Sequence, residues 1–92
     1  YNSQTFSGSG PYNIAPGYDV VYVTSTVGAA ITINLPTSAV EGQTLYIIWN
    51  DTNNATFSNG LRPDGSPYQT SGAANLLFVY AGDRWRLVSA FE

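Results

Sequence analysis

The stretch "AITINLPTSAVEGQTLYIIWND" (residues 30–51) decides how the chain is read. Ile31, Ile33 and Leu35 alternate with Thr32 and Asn34, the period of two that marks a strand with one wet face, and Pro36 ends it. After "TSAVEG", the run "QTLYIIWN" (43–50) puts Leu45, Ile47 and Trp49 on one face and Tyr46 and Ile48 on the other. Both faces of this second strand are apolar, so each needs something to cover it.

Working outward, "YDVVYVT" (18–24), "ATFS" (55–58), "ANLLFVY" (74–80) and "RWRLVSAF" (84–91) are β-branched or aromatic runs bounded by Gly, Pro, Asn, Asp or Ser. The last two are joined at Gly82-Asp83, a pair suited to a two-residue hairpin turn. "ANLLFVY" is two-sided as well, with Leu77 and Val79 on the face opposite Leu76 and Phe78. No long window shows helical spacing free of Gly and Pro. The expected fold is therefore all-β: a small antiparallel β-sandwich of about six strands over residues 18–92. Residues 1–17, with Gly and Pro at close spacing, read as a linker or N-terminal arm holding one short extended piece. Residues 59–69, with Asn59-Gly60, Asp64-Gly65 and two prolines, read as a long loop. The pentapeptides "TVGAA" (26–30) and "TSGAA" (70–74) are too short to establish a repeat.

Composition narrows the function. At 92 residues, with no cysteine or histidine, the chain has one modest core and neither a disulfide nor a Cys/His zinc site to reinforce it. Charged residues are only 10% of the chain, the three cations are all arginines, and the net charge is −3, so the basic footprint that nucleic acids and anionic membranes require is missing. No apolar run is long enough to span a bilayer as a helix. Self-association is the remaining source of burial. An oligomer would cover Tyr46, Ile48, Leu77 and Val79, each worth up to about 1.5–3 kcal/mol when fully buried. The alternative is an intramolecular cover supplied by the 61–69 loop.

Chemistry is sparse. Without His, Cys or Lys, the acid and base candidates are Asp19, Glu41, Asp51, Asp64, Asp83 and Glu92. Most sit at turns or chain ends, where carboxylates serve local hydrogen bonding, and nothing in their spacing brings two together. The segment 51–62 opens like a calcium loop but has Thr56 where the template needs Gly and Arg62 where it needs Glu. No catalytic residues, metal ligands or cofactor are expected. The best ligand candidates are Arg62, Asp64 and Tyr68, a cation, an anion and an aromatic ring within one loop whose prolines limit the entropy lost on binding.

The order of "YDVVYVT", "AAITINLP", "EGQTLYIIWND", "NATFS" and "AGDRWRLVSAF" resembles a pattern found in tail-fibre, tail-spike and other virion appendage proteins of bacteriophages. There an "LP" strand end, a "G…YII.N" strand and a closing "G..W" hairpin recur in small trimeric β-domains. The likeness spans residues 18–92, apart from the Pro-containing segment 61–69, which has no counterpart. It implies a homotrimer on the virion, a structural and host-attachment role, and contacts with a host-surface glycan or protein receptor and with other virion proteins. A monomeric carbohydrate-binding or lectin-like β-sandwich is the alternative expectation.

Overall fold

The computed structural model describes residues 1–92 and contains nine strands and no helix. They are β1 (Asn2–Phe6), β2 (Tyr12–Asn13), β3 (Val20–Ser25), β4 (Ile31–Asn34), β5 (Thr44–Trp49), β6 (Ala55–Leu61), β7 (Pro67–Gln69), β8 (Ala74–Tyr80) and β9 (Trp85–Phe91). All-β is correct, but the six-stranded antiparallel sandwich is not. The strands form one sheet in the order β1-β3-β5-β8-β9-β6-β4-β2, with β7 added to β6, and the sheet curls into a nearly closed, barrel-like body.

The cause of the difference lies in the connections. Consecutive strands from β1 to β6 do not pair with each other. Each short connection carries the chain to the opposite wing of the sheet, and the next one brings it back. A strand therefore pairs, in parallel, with the strand two along: β1 with β3, β3 with β5, β2 with β4 and β4 with β6. Parallel neighbours need a crossover, and here the opposite wing supplies it. The chain thus winds in coils, with Asn2 beside Val21 and Val20 beside Tyr46 in one wing, and Tyr12 beside Ile33 and Ile31 beside Ala55 in the other. Antiparallel pairing appears only at the last coil, where β8 lies against β5, β9 against β8 and β7 against β6.

Stacked coils put like residues in columns, and the columns are the core. Val21, Ile47 and Leu76 are in register across β3, β5 and β8, as are Val23, Trp49 and Ala74. From the other wing Ile31 stands beside Ala55, and Ile33 beside Phe57. All of these are buried, together with Leu45, Phe78 and Trp85. Both indoles are satisfied: Trp49 Nε1 donates to the Asn53 carbonyl and Trp85 Nε1 to the Pro36 carbonyl, each at 2.9 Å. Trp49 has no exposed surface, as its face in "LYIIW" predicts.

Residues 1–17 are not a linker. They supply β1 and β2 and bury Phe6 and Ile14 in the core, where Phe6 meets the Tyr12 ring at 5.4 Å. Gln4 closes this end of the stack. Its side-chain amide donates to the Asn13 carbonyl at 3.1 Å and accepts from the Ala15 N–H at 3.0 Å, pairing with the edge of β2 as a neighbouring strand's peptide group would. The 59–69 loop is also largely regular: Asn59 and Gly60 lie within β6, only residues 62–66 form a turn, and 67–69 are β7.

Candidate functional site

Arg62, Asp64 and Tyr68 do come together on the β6–β7 hairpin. The turn is closed by backbone bonds from Arg62 N–H to the Ser66 carbonyl and from Gly65 N–H to the Arg62 carbonyl, both at 2.8 Å. Asp64 serves this turn: its Oδ1 accepts from the Ser66 N–H at 2.9 Å and the Ser66 hydroxyl at 2.6 Å. Those bonds, with the nearby Arg62 charge, hold its carboxyl below the ordinary value of 3.8. Tyr68 packs its ring against the core and donates its hydroxyl to Glu92, whose other oxygen accepts from the Ser71 N–H at 2.6 Å. Partial burial, then the Glu92 carboxylate, push the Tyr68 phenol up to about 12. The Tyr68 and Ser71 hydrogen bonds hold Glu92 below its ordinary value. Of the three side chains only that of Arg62 makes no hydrogen bond; those of Asp64 and Tyr68 are committed to the hairpin and to a clasp on the end of β9.

The second set, Tyr46, Ile48, Leu77 and Val79, is brought together more convincingly. Register puts them on the outer face of the β3–β5–β8–β9 region in three rows: Val20–Tyr46–Leu77–Ser89, Tyr22–Ile48–Asn75–Phe91 and Thr44–Val79–Arg86. The 61–69 segment does not cover this face, because it pairs on the opposite wing with β6. Tyr46 is 38% exposed and Phe91 74% exposed, while Ile48, Leu77 and Val79 are half-buried. A depression of about 250 Å³ lies beside Phe91, bounded by Ile48, Trp49, Ala73 and Ala74 and rimmed by Asn50, Asn75 and Glu92. The outer face of the other wing is polar: Thr32, Thr56 and Gln69 are in register, as are Asn13 and Asn34, and Ser58 is bonded to Asn34 through its side chain. Asn34 Nδ2 donates to Asn13 Oδ1 at 3.1 Å, and the Ser58 hydroxyl donates to Asn34 Oδ1, so two amides and a hydroxyl are linked across β2, β4 and β6. Sequence reading found four members of the apolar face from the two-sided strands. It missed Val20, Tyr22 and Phe91, whose membership depends on the parallel β3–β5 pairing and on the register of β9.

A groove not anticipated from sequence runs along one side of the body. It consists of two depressions of about 370 and 220 Å³ that share Pro36, Thr37 and Asn59. The larger reaches Asn13, Ile14, Pro16 and Asn34; the smaller ends at Tyr80, Asp83, Arg84 and Trp85. These residues are dispersed in sequence, and coil stacking alone assembles them.

The sequence matches no family model and no curated protein. Among solved structures, a chain from a chaperone–substrate complex is similar at a TM-score of 0.58 and 11% identity, over 88% of this chain and 14% of that one. At that identity the similarity is one of fold, and the present chain spans only that small part of its neighbour's length.

Proposed function

We propose that the chain is a non-enzymatic structural and attachment module of a viral fibre or other virion appendage, assembled as a homotrimer. On the virion it would contact neighbouring virion proteins and a host-surface glycan or protein receptor. One observation carries the assembly: the apolar outer face around Tyr46, Ile48, Leu77 and Val79, set against a polar outer face on the other wing. Covering it stabilises a chain whose own core is small, and interfaces of permanent oligomers have this composition. The number three and the viral setting rest on the resemblance in residues 18–92, including Gly82-Asp83-Arg84-Trp85 at the closing hairpin. Four of the six carboxylates support a non-catalytic role through their existing duties: Glu41 on the Gly82 and Asp83 N–H groups, Asp51 on Asn53, Asp64 on Ser66 and Glu92 on Ser71.

The test is the double variant Tyr46→Arg, Leu77→Arg. These cross-strand neighbours lie on the outer face, so assembly would have to bury two unpaired arginines per copy, while neither enters the core. The variant is expected to remain folded by far-UV circular dichroism and to sediment as a monomer where the parent sediments as a trimer. A parent protein that is itself monomeric, or a variant that stays trimeric, contradicts the proposal. A monomeric carbohydrate-binding module is the second reading, favoured by the polar groove, which lies entirely within one copy.

A further inference from the structure

From the groove along Pro36 and Asn59 we infer a binding site for a neutral oligosaccharide, anchored by Asp83 and Arg84 at the β8–β9 turn. The inference deepens the attachment part of the function proposed above and is independent of the assembly part.

The turn itself provides the first observation. Gly82 and Asp83 have φ of 65° and 62°, and the Ala81 N–H donates to the Arg84 carbonyl at 2.9 Å, which makes a two-residue hairpin turn with both central residues left-handed. Glycine is the undemanding choice at such positions, yet Asp83 stands at the second as the only non-glycine residue of the chain with positive φ. Its carboxylate is not what holds the turn. Glu41 takes the N–H groups of Gly82 and Asp83, both at 3.1 Å, and Arg86 Nε donates to the Ala81 carbonyl at 2.8 Å. Asp83 and Arg84 join in that holding through their backbones alone; both residues are exposed, their side chains make no hydrogen bond, and both line the groove.

The second observation is the chemistry of the lining. Asp83 and Arg84 bring one charge of each sign to the lining, and Glu41 and Arg86, which hold the turn, add one more of each, so the end of the groove is neutral overall and lacks the excess of cations that phosphate recognition uses. Farther along the lining is also polar and uncharged, with Thr37, Ser38, Asn13 and Asn34. Pro36 lines both depressions, and Tyr80 lines the Asp83–Arg84 end, packed edge-on against the Trp85 ring at 5.4 Å. Carboxylate and guanidinium can each engage two adjacent hydroxyls, and a proline or tyrosine ring suits the C–H face of a pyranose.

The third observation is rigidity. Asn59 is fixed on both sides of the Leu35 peptide, accepting from its N–H at 2.7 Å and donating to its carbonyl at 3.0 Å. Asn34 is fixed by Asn13, and Trp85 by the Pro36 carbonyl. A site ordered beforehand loses little entropy when it is filled.

The experiment applies the whole chain to an immobilised array of neutral and acidic oligosaccharides, with inorganic phosphate as a soluble competitor. The parent is expected to be retained on neutral oligosaccharides and not displaced by phosphate. Asp83→Gly and Arg84→Ala should each weaken retention at least tenfold. Asp83→Gly separates binding from folding, because glycine relieves the left-handed position: its melting temperature should equal or exceed the parent's while binding falls. The Tyr46→Arg, Leu77→Arg variant should still bind through each separate copy, with only avidity reduced, so loss of assembly and loss of the groove are read independently. No retention of the parent on any neutral oligosaccharide, retention restricted to acidic ones, or undiminished retention of both groove variants overturns the inference.

Discussion

At Gly60 the fold leaves no space for a side chain: a Cβ there would stand 2.7 Å from Cε1 of Phe78 and 3.0 Å from Cβ of Phe57. Gly60→Ala should therefore destabilise by about 1–3 kcal/mol, the usual cost of overpacking, read as a lowered urea midpoint; an unchanged midpoint would show that the Phe57–Phe78 pair yields freely. Trp49 fails in the opposite sense. Its ring is fully buried and its indole nitrogen is bonded, so Trp49→Ala should cost about 3–5 kcal/mol and exceed any substitution in the 62–66 turn. The Tyr68–Glu92 clasp gives a pH signature at both extremes. The depressed Glu92 carboxyl contributes stability that is present above its ordinary 4.5 and lost as pH falls through its lower folded value. The raised Tyr68 phenol contributes stability that is complete below 10 and lost as pH rises toward about 12. An alkaline absorbance titration should show a late tyrosinate that is absent in Tyr68→Phe; a titration identical in parent and variant would contradict the clasp.

At the scale of the element, Gln4 carries the clearest prediction. Gln4→Ala removes both bonds to the edge of β2 and should cost about 1 kcal/mol, with faster amide exchange at Ala15 and unchanged exchange at the core strands. Equal protection of Ala15 in both proteins would show that the amide does not close the edge. The strands around Ile31–Leu35 and Leu45–Trp49 were legible because each alternates its side chains against a real core face. The same logic missed β1 and β2, where Phe6 and Ile14 are separated by Ser, Gly and Pro and no alternation is long enough to register. Pairing was illegible for another reason. Connections such as 26–30 and 50–54 have the length of hairpin loops, and only the folded chain reveals that they turn a corner to the other wing. Coil offsets that vary, Val21 after Asn2 but Tyr46 after Val20, leave no fixed period for a repeat search to find. For the site, Arg62, Asp64 and Tyr68 stood out as neighbours in sequence, whereas the groove joins Asn13, Pro36, Asn59 and Arg84, which only coil stacking makes neighbours.

For the whole molecule, the asymmetry between the two outer faces matters most. The amide and hydroxyl ladder of β2, β4 and β6 is at ease in water, and the row Val20–Tyr46–Leu77 with Ile48 and Phe91 is not. A chain with so few charges has little else to keep such a face from associating. Sedimentation equilibrium of the unmodified protein at micromolar concentration tests this most directly. The predicted result is a single species near three times 9.9 kDa, stable on dilution; a stable species near 9.9 kDa would contradict it.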